Sequence, residues 1–290
     1  NVVIKNLSIE NSGFSVEKID SAIHAKEVNN ITIENNHISD SLFGINFEQV
    51  NRSKIVDNFI TSKDLELGIR GDGIRLWNSH DNQLFANRLY KSRDFVLWYS
   101  SGNNIENNYG SYNRYSLHFM YAGRNMVRNN FFEYNSVGIF FMYSSGTIAI
   151  GNTVKNSLGA FGVGIGMKDS SDFTLLENNL IYNPRGLYLD QSPYHPRTVN
   201  VFERNNILYN SSGVQFQVSR ERSIFKENVI KGNIEPVVSD TPRNNLDIND
   251  WSGNYWDMYE GFDKNGDGYG DIPYKHYVYA DKLWLYNPNV

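Results

Sequence analysis

The chain has 290 residues, 40% of them hydrophobic, with a formal net charge of −5 and a pI near 5.7. Without a basic stripe to displace counterions, this balance excludes a nucleic-acid backbone as partner. No apolar run reaches membrane-spanning length, and the lack of Cys excludes disulfides and thiolate metal sites.

The residues are those of strands and turns: Asn, Ser, Gly, Ile, Phe and Tyr abound, and Pro occurs 7 times. The chain opens in strand-like sequence, VVIKNLSI, which points to a mature or truncated chain whose earlier portion is missing. From there a unit with apolar ends and Asn inside recurs. It is seen in ITIENNHI (31–38), KIVDNFI (54–60), NQLFANRL (82–89), NNIENNY (103–109) and MVRNNFF (126–132). It continues in IAIGNTV (148–154), TLLENNLI (174–181), FERNNIL (202–208) and FKENVI (225–230). Alignment puts Asn36, Asn58, Asn87, Asn108, Asn130, Asn152, Asn179, Asn206 and Asn228 in one row, about one every 22 residues with insertions in some coils.

A second element follows each of these units up to residue 217, with the template small–apolar–x–apolar–x: GINFE (44–48), GIRLW (73–77), DFVLW (94–98), SLHFM (116–120), GIFFM (138–142), GIGMK (164–168), GLYLD (186–190) and GVQFQ (213–217). Coils this short leave no room for helical crossovers, so parallel strands must stack in register. The expected fold is an all-β, right-handed parallel β-helix over residues 1–234, with the Asn row as a hydrogen-bonded ladder. Residues 235–290 break the pattern and read as a C-terminal cap, with Trp251, Trp256 and Trp284 to cover the open end of the core.

Alternation assigns faces. Pairs such as Phe95/Leu97, Leu117/Phe119 and Ile139/Phe141 point inward. The outward pairs are polar at both ends of the row, with Asn46/Glu48 at one and Gln215/Gln217 at the other. In the middle they are Trp77, Val96, Trp98, His118, Met120, Phe140 and Met142. An exposed patch of this kind marks a partner surface, a ligand groove or a face hidden beneath another segment. Trp77, Val96, Trp98, Tyr99 and Phe140 are the candidate docking residues. His118, Met120 and Met142 form the sharper candidate, because imidazole and thioethers suit Cu(I) and not Ca²⁺ or Mg²⁺. The other histidines fall in different repeat positions and read as surface or turn residues.

DKNGDGYGD (263–271) sets Asp263, Asn265, Asp267, Tyr269 and Asp271 at the spacing of the first ligands of a calcium loop. Tyr274 stands where an EF-hand needs a bidentate Glu, which leaves a weaker Ca²⁺ loop or a tight Asx/Gly turn. Parallel β-helices often act on acidic polysaccharides, and Trp77, Trp98 and Tyr99 could stack on sugar rings. The carboxylates Asp94, Asp169, Asp172 and Asp190 form no convergent set in the sequence, so a carbohydrate-binding or polysaccharide-degrading protein is the rival reading.

GIRLWNS (73–79), SLHFMYA (116–122), GIFFMYSSG (138–146), the tail GNYWDMYEGFDKNGDGYGDIPY (253–274) and DKLW (281–284) together resemble the NosD family of periplasmic β-helical proteins. The resemblance implies a non-enzymatic factor that matures the copper sites of nitrous oxide reductase. It implies as partners an ABC transporter of ATPase and permease, a copper-chaperone lipoprotein and the reductase itself. Asn265 and Tyr269 replace the more usual Asp and Ile of the family's tail loop, which weakens a calcium role.

Overall fold

A computed structural model describes residues 2–218, 220–239 and 246–276. Among these residues the chain winds as a parallel β-helix of three sheets, with 10, 11 and 10 strands. Every named strand pairing is parallel, and each strand's neighbours in its sheet come from the coils before and after it, as coils too short for helical crossovers require. Among the described residues only a short 3-10 turn, Leu246–Ile248, departs from strand and loop.

The interior is a continuous stack of Ile, Leu, Val and Phe. The inward residues read from alternation are all buried, among them Ile45, Phe47, Leu117, Phe119, Ile139, Phe141, Leu187 and Phe216. Phe119 stacks on Phe141 at 4.8 Å, and Phe141 leans on Phe173 at 4.7 Å, so the aromatic core runs across rungs as well as within them.

The asparagine ladder is present, with one change of membership. Its members are Asn36, Asn58, Asn87, Asn108, Asn130, Asn152, Asn178, Asn205, Asn228 and Asn254, each donating its side-chain amide to the next side-chain carbonyl at 2.9–3.1 Å. Asn179 and Asn206, aligned from the repeat, instead begin the next strands and bond to each other at 2.8 Å. The ladder residue is the one that follows a left-handed turn residue: Glu177 (φ 56°) precedes Asn178, and Arg204 (φ 51°) precedes Asn205. Two adjacent asparagines look alike in sequence, and only the turn chooses between them.

The coil pattern runs beyond residue 234. The strand Glu235–Ser239 joins the third sheet, Tyr255–Trp256 joins the second, and Asn254 ends the ladder. Trp251 then lies flat on the core residue Phe225, with ring centroids 4.1 Å apart, and Trp256 stacks on Tyr274 at 4.6 Å. These rings shield apolar cross-section that the last rung would otherwise expose. Trp284 and the DKLW segment lie outside the described residues.

A candidate soft-metal site on the third sheet

Three adjacent strands of the third sheet, Asp94–Trp98, Tyr115–Met120 and Val137–Met142, carry the outward residues of interest. Their register is Val96↔His118↔Phe140 in one column and Trp98↔Met120↔Met142 in the next. Trp77 and Lys168 flank the second column on the outer rungs.

The first column is less exposed than strand alternation alone predicts. Val96, His118 and Phe140 are only 4%, 7% and 9% exposed, although they point away from the core. Their neighbours on the same face close over them. The Tyr115 ring stacks on the His118 imidazole at 4.5 Å and meets Phe140 edge-on at 6.0 Å. Phe140 in turn lies across Gly166, where an added Cβ would come within 2.3 Å of the ring. Val96 and Phe140 are therefore packing residues, and Trp77, Trp98, Met120 and Met142 keep partial access to solvent.

His118 is held from both sides. Its Nδ1 lies 3.3 Å from Oδ2 of Asp94, and its Nε2 lies 3.2 Å from the thioether sulfur of Met142. Asp94 is itself gripped by Arg114, whose Nε and Nη2 donate to the two carboxylate oxygens at 2.9 and 2.5 Å. The Arg114 guanidinium also sits 5.1 Å from the Tyr115 ring centre. Burial alone would raise the Asp94 carboxyl, but hydrogen bonds from His118 and Arg114 outweigh it and hold the group below the usual carboxylate range. An ionised carboxylate only accepts, so His118 donates from Nδ1 to Asp94, and its Nε2 edge faces the Met142 sulfur. A carboxylate behind one nitrogen of a histidine is the arrangement that orients metal-binding imidazoles.

The donors fit a soft ion. A nitrogen and a sulfur sharing one ion at ~2.0 and ~2.3 Å lie roughly 3.3–3.5 Å apart at near-tetrahedral angles. The 3.2 Å between His118 and Met142 is close to that span, and Met120 stands one rung from Met142. The donor set is neutral, as Cu(I) prefers.

Asp94, Arg114 and Tyr115 are the site residues that the sequence reading missed. The available signal was positional: Arg93–Asp94 and Arg114–Tyr115 stand at the strand entrance, where the register partners of Asp94 and Tyr115 in the next two coils are Val137 and Val163. A second buried carboxylate, Asp72, accepts from Arg93 at 2.9 Å. Burial and the nearby Asp94 push its carboxyl up to about 6. Both carboxylates are thus occupied by arginine.

The remaining candidates separate clearly. Tyr99 lies just past the stripe, 44% exposed, with Trp77 edge-on to it at 5.6 Å. In the tail loop Asp263 accepts from the backbone amides of Gly266, Asp267 and Gly268, Asp267 from Tyr269, and Asp271 from Lys264. The side-chain amide of Asn265 also donates to Asp267, at 2.9 Å. The loop is an Asx-turn network whose carboxylates face their own backbone. Among the described residues no three His, Asp or Glu side chains converge as a metal-binding group, so the geometry lends calcium no support. His80 bonds Asn78 and the Ser101 amide, and His24 faces Glu48, as turn and surface histidines do.

The family model described as periplasmic copper-binding protein (NosD) matches residues 59–261. The chain belongs to the NosD family. Two curated relatives, each described as a probable ABC transporter binding protein NosD, share 35% identity (Stutzerimonas stutzeri) and 32% identity (Pseudomonas aeruginosa) over 88 residues. That stretch is 30% of this chain and about a fifth of either relative. The right-handed β-helix model matches residues 1–114 and gives the solenoid its hand. Among solved structures, the A-module of the Azotobacter vinelandii mannuronan C-5 epimerase AlgE6 aligns with a TM-score of 0.60 at 15% identity, covering 78% of this chain and 64% of that one. The catalytic domain of a GH87 α-1,3-glucanase aligns with a TM-score of 0.60 at 14% identity, covering 88% and 55%. Likeness at this identity shows the right-handed β-helix fold alone.

Proposed function

We propose that this NosD-family chain is a non-enzymatic periplasmic accessory protein that takes Cu(I) as cargo during assembly of the copper sites of nitrous oxide reductase. The observation that carries the reading is His118, with Nδ1 held by an Arg-clamped carboxylate and Nε2 aimed at the Met142 sulfur. His118 and Met142 would hold the ion, with Met120 on the neighbouring rung as a third donor. Neutral donors on a partly open face bind a soft cation without burying it, which suits a cargo that must leave again. The burial and arginine pairing of Asp72 and Asp94 support the non-enzymatic part, since neither carboxylate is presented to a groove for acid–base work.

The partners in this reading are an ABC transporter permease–ATPase complex, a copper-chaperone lipoprotein and the reductase. The exposed rim of Trp77 and Tyr99 beside the site is the surface assigned to docking. Anaerobic Cu(I) titration against a chromogenic chelator tests the cargo role. One equivalent should bind, and Met120→Ala with Met142→Ala should lose at least 100-fold in affinity; an unchanged affinity sinks the site. Pull-down with the chaperone and reductase tests the rim, which Trp77→Ala/Tyr99→Ala should weaken. Turnover of polyuronates by the purified protein would count against the whole reading.

A further inference from the structure

Three acids stand on or beside the strands Phe43–Glu48, Ile74–Trp77 and Asp94–Trp98, and each has a cation of its own. Asp72 pairs with Arg93 at 2.9 Å, Glu48 with Lys26 at 2.8 Å, and Asp94 with Arg114. Arg75 is the cation left over. It lies in register between Asn46 and Val96, two rungs from His118 in the same outward column. Among the described residues it enters no ion pair, and the one hydrogen bond of its side chain runs from Nη1 to the neutral Oδ1 of Asn46 at 2.9 Å. Asp72 and Glu48 act on its charge from farther off, while half-burial pulls the guanidinium below its usual range.

The same place is short of acceptors. Asn46 is fully buried, and Nδ2 of the carboxamide that Arg75 touches has no hydrogen-bond partner among the described residues. The buried Nε1 of Trp98, whose register partner is Trp77, has none either. A half-buried cation beside unmatched N–H donors is costly until an acceptor arrives. The free edge of Arg75, Nε and Nη2, is the edge with which Arg114 grips both oxygens of Asp94. Planar paired donors of this kind fit a carboxylate.

We infer that Arg75 and Asn46 form a seat for a carboxylate borne on an acidic segment of a partner protein. This rests on the docking rim assigned above and gives that rim a charged anchor. Trp77 is two residues along the same strand face, partly exposed, with Tyr99 edge-on to it at 5.6 Å. A chain seated on Arg75 therefore has apolar rings beside it to cover. On an outer sheet face a free small carboxylate has only the guanidinium fork to hold it, whereas a chain-borne one gains the rim as well.

Sodium acetate and a hexaglutamate peptide, each titrated at constant ionic strength into the whole chain, test the seat. In NMR spectra the Arg75 Nε–H and Asn46 side-chain amide signals should move and saturate with both, and the peptide should bind more tightly. Arg75→Gln should lose about 10- to 100-fold in peptide affinity. Arg75→Lys keeps the charge without the fork and should recover only part of that loss. Arg75 is on the outer face, so circular dichroism should stay unchanged in both variants. Equal peptide affinity in wild type and Arg75→Gln overturns the seat, and full recovery in Arg75→Lys overturns the fork. Acetate binding as tight as that of the peptide overturns the partner segment in favour of a free small carboxylate. Pull-down with the chaperone and reductase separates seat from rim. If Arg75→Gln weakens capture and Trp77→Ala/Tyr99→Ala does not, the rim fails and the seat stands; the reverse result overturns the seat alone.

Discussion

Two rows of side chains climb this solenoid with the same period, and they behave differently. The asparagine ladder repeats one residue type in ten successive coils, fully buried for most of its length and fully hydrogen-bonded. The outer row of the third sheet changes at nearly every rung, from Arg75 and Trp77 through His118 and Met120 to Gly166 and Lys168. A repeated residue reports a need that every coil shares, here the satisfaction of turn amides and carbonyls. A local departure reports something done at one place. The departure in this chain spans about three rungs and coincides with a clamped histidine.

Breaking the ladder should have the largest effect on folding. Asn130 accepts from the backbone and side-chain amides of Asn108 and donates to the Ile105 carbonyl and to Asn152. Asn130→Ala leaves several of these groups buried and unpaired, so urea unfolding should show a loss of about 2–4 kcal/mol. Its Cu(I) affinity at neutral pH should stay within a factor of two or so. Asp94→Asn should do the reverse. It removes the charge behind His118 and should weaken Cu(I) binding by roughly 10- to 100-fold, read by chelator competition; equal binding would mean that the imidazole needs no orienting carboxylate.

The buried carboxylates give the comparison a pH axis. Asp72 titrates near 6 in the folded chain, so the native state keeps a proton that the unfolded chain, near 3.9, gives up. Its contribution is full below pH ~4 and is lost as pH rises through about 6, on the order of 1–3 kcal/mol. Asp94, held below its usual range, contributes above pH ~4 and loses that contribution as pH falls. Urea melts across pH 4–8 should therefore be steeper in pH for wild type than for Asp72→Asn, with stability declining towards neutrality. Identical slopes would show that Asp72 is not burdened by burial. The smallest change is expected at the Arg222–Asp250 pair, which is 3.1 Å long and largely exposed. Arg222→Ala should cost no more than ~0.5 kcal/mol in the same assay, and a larger loss would show that surface pairs share the load assigned to the ladder.

Much of this arrangement was legible in the residues. The period of about 22, the alternation of Leu117 and Phe119 with His118 and Met120, and the outward stripe all follow from strand geometry, which is local. The candidate set of His118, Met120 and Met142 rests on the same geometry, because in-register stacking turns a fixed spacing into a neighbour, and of its contacts the structure gives that between His118 and Met142. The ladder was read with an error at Asn179 and Asn206, since the choice between adjacent asparagines belongs to the turn. Asp94 was read as a scattered turn residue. Its partner Arg114 lies one coil away, and side-chain direction at a strand entrance is not set by alternation.

The sequence by itself therefore determined the coil, the core and which residues leave it, because hydrophobic period and turn chemistry act within one coil. Only the tertiary structure decided what those outward residues meet. Tyr115 covers His118, Phe140 lies down on Gly166, Asp94 is clamped by Arg114, and the Trp98 ring lies nearly parallel to that of Tyr99. Each of these is a contact across or beside a rung, set by rotamers competing for one crowded face, and no spacing along the chain encodes that competition.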